Sequence, residues 1–185
     1  MATGRRKEKH VDVAIVKARY TKQQAAAKAS IRYIEHRPGR QNRRISRTLF
    51  GTDGAMSRQQ AYTLIDDARQ GSVFFRLIIS PDPKQEDTKQ DLPLRGITEH
   101  TMQALAERLG TTISWVGAIH ADHVPHRHVH VVAVIEGRLT RDDLQAVTRA
   151  ATEAALVQRS ERDQAQEARQ QEHEREIQEE AEWER

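Results

Sequence analysis

Five of the nine histidines in this chain fall within one stretch, HADHVPHRHVH, residues 120 to 130. Imidazole is a good divalent-metal ligand and a poor filler of apolar cores, so this density points to chemistry rather than packing. On a strand, alternate residues share a face. His126, His128 and His130 then point one way, and Val129, Val131 and Ala133 the other. On the preceding segment Ile113, Trp115 and Ile119 make one face, and His120 lies on the opposite one. An antiparallel pairing of the two segments brings His120 across from His128 and His130. Three imidazoles converging from two neighbouring strands form a natural site for a divalent ion with open coordination positions. A metal-bound imidazole usually gives its second N–H to an acceptor, and Asp122 is the nearby candidate. A lone H-x-H pair is more often a surface feature than a ligand set. Three candidate ligands on a common face, with an acid in the loop, shift the balance towards metal. His36, His100 and His173 fall on helices and read as surface residues, and His10 has no assigned role.

A histidine-held ion with free positions can polarise a phosphate and stabilise the charge of phosphoryl transfer. The chain has no cysteine, which excludes disulfides, thiolate metal sites and a cysteine nucleophile. Hydroxyls, tyrosine and activated water are left as attacking groups. There are three tyrosines. Tyr62 sits beside Leu64 and Ile65 on a helix and reads as packing. Tyr20 ends the first strand. Tyr33 lies late in the first helix, in SIRYIEHR, just before an arginine-rich stretch. There its oxyanion would be supported by positive charge, although helix packing is again the plain alternative.

These side chains need elements to hold them. VDVAIVKARY (11–20) alternates apolar and polar residues and predicts a strand. TKQQAAAKASIRYIEHR (21–37) predicts a helix, with Thr21 as cap and Pro38-Gly39 as its end. RPGRQNRRISR (37–47) is a basic loop. SRQQAYTLIDDAR (57–69) predicts a helix capped by Ser57, and SVFFRLIIS (72–80) a strand stopped by PDP. A polar loop follows, and its acids Asp82 and Glu86 read as solvated. ITEHTMQALAERLG (97–110) predicts a helix ending at Gly110. TTISWVGAIH (111–120) and HRHVHVVAVIEG (126–137) predict a strand hairpin, and Thr140 caps a last helix. The pattern predicts an α+β fold, a central antiparallel β-sheet flanked by helices, with a long charged C-terminal helix. The expected organisation is a basic arm (1–10), one folded domain (11–157) and a charged tail (158–185), helical or frayed.

Charge is divided unevenly. Residues 158–185 hold 10 acidic and 5 basic residues, leaving 17 acidic and 25 basic for the rest. A basic body suits a polyanionic partner. No apolar run resembles a signal peptide or a membrane span, so a soluble cytoplasmic protein without membrane insertion is expected.

Taken together, these segments resemble the relaxases of the Mob/Vir type, the HUH endonucleases that mobilise plasmids and conjugative elements. The histidine–hydrophobic–histidine motif is His128-Val129-His130, and the family's upstream histidine matches His120. KASIRYIEHR resembles the family's nucleophile segment, with Tyr33 in the tyrosine position. FRLIISPDP and ISWVGAIHADH resemble the segments that lead to the histidines. The likeness spans roughly residues 11–150 in the same order. The spacing departs from the family pattern: His120 to His128 is eight steps where seven is common. Pro125-His126-Arg127-His128 also offers an overlapping pair with arginine in the middle. Val129 fits the hydrophobic position, so His128 and His130 are preferred, with His126 and His123 as additional candidates.

The resemblance implies a mechanism. A divalent ion, Mg2+ or Mn2+, binds the scissile phosphate of single-stranded DNA at an origin of transfer. Tyr33 attacks, leaving a 5′-phosphotyrosine and a free 3′-hydroxyl. Asp122 or His123 would orient a ligand or help deprotonate Tyr33. Arg37, Arg40, Arg43, Arg44 and Arg47 would hold the DNA backbone, joined by Arg5, Arg6, Lys7 and Lys9. Accessory mobilisation or coupling proteins are the further partners implied. Rolling-circle replication initiators and single-strand transposases share the chemistry, but their tyrosine normally follows the histidines, and no tyrosine follows His130 here. A non-catalytic DNA-binding or metal-binding accessory protein is the alternative from another class.

Overall fold

In the computed structural model, residues 14–38, 45–121 and 126–183 are described. Ten elements follow in order: β1 (Ile15–Thr21), α1 (Gln24–His36), β2 (Leu49–Gly51), β3 (Gly54–Met56), α2 (Arg58–Asp66), β4 (Ser72–Ser80), α3 (Leu94–Leu109), β5 (Ser114–His120), β6 (His128–Glu136) and α4 (Arg141–Trp183). The fold is α+β, as expected. Its six strands form one sheet in the order β1-β4-β6-β5-β2-β3, antiparallel at every pairing.

Strand β6 lies inside the sheet, between β4 and β5, and is apolar on both sides for most of its length. Its odd positions Val129, Val131, Ala133 and Ile135 join Leu77, Ile79 and Trp115 in a core roofed by α3 and α4. On the other face, Val132, Val116, Ala118 and Phe74 meet Ala27, Ile31 and Ile34 of α1 and Ala61 and Ile65 of α2. The histidines occupy the even positions, so they open on the α1 side.

The helix ends follow local chemistry. Ser57 and Gln60 form a reciprocal capping box at the start of α2. At the start of α4, the Asp143 N–H donates to Thr140 Oγ1, and the Asp143 carboxylate accepts from both the Thr140 N–H and its hydroxyl. Gly110 closes α3 in the left-handed region, φ 64. The cap expected of Thr21 is not formed: Thr21 belongs to β1, and Gln23 precedes α1 without a side-chain cap. Residues 11–13 of the first predicted strand lie outside the described residues.

The β2–β3 hairpin, LFGTDGAM, was not among the predicted elements. Its arms are three residues each, too short for alternation to register. Asp53-Gly54 was the available turn signal, and Gly54 takes φ +115. Phe50 pairs with Gly117 of β5 and sets its ring edge-on to Trp115, centroids 5.7 Å apart. A Cβ on Gly51 would fall 2.9 Å from the Trp115 carbonyl, so only glycine lets the hairpin lie this close to β5.

The last helix runs unbroken for 43 residues. Ala151, Ala154 and Ala155 pack into the core, whereas Gln164 to Glu180 are exposed throughout. No helix among the described residues is long and apolar enough to cross a membrane.

Candidate metal centre and tyrosine groove

The register of β5 and β6 places the histidines. His120 pairs with His128, and His130 lies opposite Ala118, so all three imidazoles stand on one face at the same end of the hairpin. Their ring centroids are 5.4 Å apart for His120–His128, 4.6 Å for His120–His130 and 4.9 Å for His128–His130. One nitrogen from each ring lies within 4.8 Å of the others. The Nε2 atoms of His128 and His130 are 3.2 Å apart. Two imidazole nitrogens about 2.1 Å from a common ion stand about 3.0–3.4 Å apart, so this pair already has ligand spacing.

Hydrogen bonds orient two of the rings. His120 Nε2–H donates to the Ile34 carbonyl at 2.9 Å, leaving Nδ1 with the lone pair. His128 Nδ1–H donates to the His126 carbonyl at 3.0 Å, leaving Nε2 as the donor to metal. Among the described residues, the acceptors for these two rings are backbone carbonyls, which side-chain reading could not find. Burial, aided by Arg47, pushes His120 down to about 4. Burial, with the other two imidazoles and then Arg37 and Arg47, pushes His130 down to about 3. Both rings are neutral at pH 7 and can donate lone pairs, so the donor set fits a divalent ion.

Tyr33 comes to the same place from α1. Ser30, Tyr33 and Arg37 share a helix stripe, next to the stripe of Ala27, Ile31 and Ile34 that enters the core. The Tyr33 ring is 49% exposed and stands edge-on to His130, centroids 6.4 Å apart. The His120–Ile34 hydrogen bond ties the turn bearing Tyr33 to the histidines. Arg37 lies over the Tyr33 ring, its guanidinium carbon 6.0 Å from the centroid. Tyr20 is on the opposite sheet face, 5.6 Å from the Phe75 ring. Tyr62 is half-buried in the α1–α2 core with the Lys28 ammonium 5.4 Å from its ring, which accords with packing.

From Tyr33 an open groove of about 500 Å³ runs along the sheet face under α1, lined also by His130, Lys17, Arg19, Arg37 and Arg76. None of its described lining residues is acidic. Arg19 and Arg76 face each other directly across the β1–β4 pairing, and Lys17 lies two residues along. Like charges placed opposite one another weaken a sheet, so the pair does not help the fold. The sequence reading missed these three cations, because only the strand register gathers them.

Of the arginines expected to hold a polyanion, Arg37 and Arg47 flank the site, and Arg47 Nη1 donates to the Arg37 carbonyl at 2.9 Å. Arg40, Arg43 and Arg44 lie outside the described residues, as do Asp122, His123 and the basic arm. His126 is exposed and stands apart from the cluster; its carbonyl, not its ring, takes part. His36, His100 and His173 are exposed. Glu86 is not solvated as expected: it is fully buried, and its Oε2 accepts the Asp82 N–H at 2.6 Å. Asp82 is half-buried and caps its own turn, accepting the N–H groups of Lys84 and Gln85. Compared with known proteins, the chain matches no family model, no curated protein and no solved structure.

Proposed function

We propose that this protein is a metal-dependent DNA relaxase of the HUH type, cutting and rejoining single-stranded DNA at an origin of transfer by tyrosine transesterification. The observation that carries the reading is the meeting of Tyr33 with three converging histidines at the head of a cationic groove. Metal alone would be served by the histidines. An exposed tyrosine beside them, backed by arginine, adds a nucleophile.

His120, His128 and His130 would hold the ion through Nδ1, Nε2 and Nε2. The bound ion would draw charge from the non-bridging oxygens of the scissile phosphate. Lys17, Arg19 and Arg76 would seat flanking phosphates along the groove. Tyr33 Oη attacks phosphorus in line as its proton passes to solvent. The P–Oη bond forms, the P–O3′ bond breaks, and the 3′-oxygen takes up a proton. The product is a 5′-phosphotyrosine, and the reverse reaction rejoins the strand. Arg37 supports the phenolate as it forms. The reading places the protein in the cytoplasm, with mobilisation or coupling proteins as partners.

The test is a covalent-adduct assay. The full chain is incubated with Mn2+ and single-stranded DNA from the region beside its own gene, then run on a denaturing gel. A protein–DNA adduct that is lost with chelator and with Tyr33→Phe is the expected result. Tight DNA binding with no adduct on any DNA tested would instead make this a non-catalytic DNA-binding protein.

A further inference from the structure

Arg127 stands in the middle of the overlapping H-x-H, where an apolar residue would be conventional for a strand. Its side chain leaves on the face opposite His128 and runs to the 81–93 loop. There Nη1 lies 3.1 Å from both Asp87 carboxylate oxygens, and Nη2 donates to the Leu92 carbonyl at 3.1 Å. Asp87 is in turn fixed, with Oδ1 accepting the Leu92 N–H at 3.0 Å and its own N–H donating to the Asp82 carbonyl at 2.8 Å. The Arg127 carbonyl accepts from Ser80 Oγ at 3.4 Å. The pair is sheltered, with 17% of the Arg127 and 4% of the Asp87 side chain exposed.

The location gives this pair a purpose. The β4–β6 pairing ends at Ile79–Val129, just before His128, which pairs with His120 of β5 on its other side. The two residues before His128 carry the carbonyl that orients its ring. A small rotation of that segment would turn the His128 Nε2 away from its 3.2 Å approach to His130. The forked guanidinium, with acceptors on both Asp87 and Leu92, pins the segment from the far side of the sheet.

We infer that Arg127 and Asp87 are positioning residues that hold the His126–His128 backbone so that the three imidazoles can bind a metal ion together. The inference rests on the metal-centre reading above. A lysine cannot replace the arginine, because a point charge does not reproduce a fork that reaches several acceptors at once. The pair is also a feature that stability alone does not demand: a sheltered ion pair can often be exchanged for apolar residues without loss of stability.

The experiment uses Co2+ as the probe on the full chain, following its visible d–d absorption in titrations, with thermal unfolding of the apo-protein alongside. Wild type is expected to bind Co2+ with a defined ligand-field spectrum. Arg127→Met combined with Asp87→Asn removes both charges, leaves neither unpaired and keeps an Oδ1 acceptor for the Leu92 N–H. It is expected to unfold at a temperature near that of wild type, yet to bind Co2+ about 10–100-fold more weakly with a changed spectrum, the size seen when outer-sphere partners of metal ligands are removed. A folded double variant with wild-type affinity and spectrum overturns the inference while leaving the metal centre intact. Wild type that binds no Co2+ overturns the metal-centre reading and this inference with it. Should the double variant fail to fold, Arg127→Lys, which keeps the charge but not the fork, decides. Weaker Co2+ binding with a shifted spectrum supports the inference, and an unchanged titration overturns it.

Discussion

Glu86 offers a quantitative test of how the loop behind the histidines is held. Its carboxyl is fully buried, and Oε2 accepts the Asp82 N–H. Burial is the main cause that raises its pKa from 4.5 to about 7; the Asp82 charge adds to this, and hydrogen bonds from the Asp82 and Ala14 N–H groups and the Thr152 hydroxyl oppose it. A carboxyl whose pKa is higher in the folded than in the unfolded chain favours folding while protonated. That contribution is complete below pH 4.5 and is lost as pH rises through 7. At about 1.4 kcal/mol per pKa unit, the loss approaches 3 kcal/mol at pH 8. Glu86→Gln keeps the shape and cannot ionise. Urea unfolding of both proteins should find the Gln variant more stable by about 3 kcal/mol at pH 8, the gap falling below about 1 kcal/mol at pH 5. A gap that stays constant from pH 5 to pH 8 would mean that Glu86 ionises as easily in the fold as in the unfolded chain. The account of an acid raised by burial would then be wrong.

Other outcomes follow from the groove and the centre. Tyr20→Phe should leave covalent adduct formation unchanged, because Tyr20 faces away from the histidines, and an adduct that depends on Tyr20 would place the chemistry on the wrong sheet face. Mn2+ at 100 times its dissociation constant should stabilise wild type by about 2.7 kcal/mol in thermal unfolding, and His120→Ala should remove most of that gain. Arg19→Ala with Arg76→Ala should weaken single-stranded DNA binding and flatten its salt dependence, by about 0.7 in log–log slope for each phosphate no longer neutralised. The same double variant should hold or gain up to about 1 kcal/mol of stability as like-charge repulsion is relieved, and a clear loss of stability would assign these arginines to the fold.

The parts legible in the sequence were those governed by short periods and local chemistry. Two-residue alternation placed His128 and His130 on one face and the valines on the other. The tight link between 120 and 128 implied an antiparallel partner, which brought His120 across. Ser57, Thr140 and Gly110 marked helix ends through side-chain or backbone chemistry that needs no distant partner. The β2–β3 hairpin escaped notice because three-residue arms carry no periodicity. Glu86 was misread because nothing in PDPKQEDTKQD signals burial; its enclosure depends on how the 81–93 loop packs against the body.

The site shows where sequence reasoning stops for a physical cause. The residues that could ligate carry their chemistry in their side chains, so His120, His128 and His130 could be named from type and spacing, whereas Tyr33 was singled out by the resemblance of KASIRYIEHR to a nucleophile segment. What tunes these groups is not legible in that way. The acceptors for His120 and His128 are the carbonyls of Ile34 and His126, groups that every residue possesses. Lys17, Arg19 and Arg76 become one patch only when β1 pairs with β4 so that Arg19 meets Arg76, and a shift of one residue would turn the two arginines to opposite faces. That register is fixed by the other face, where Val16 and Ala18 pair with Ile79 and Leu77 over the α3–α4 core. The apolar side of the sheet thus sets the position of the cationic side. The repulsion between Arg19 and Arg76 is tolerated because burial of those apolar partners outweighs a cross-strand cost of about 1 kcal/mol at most.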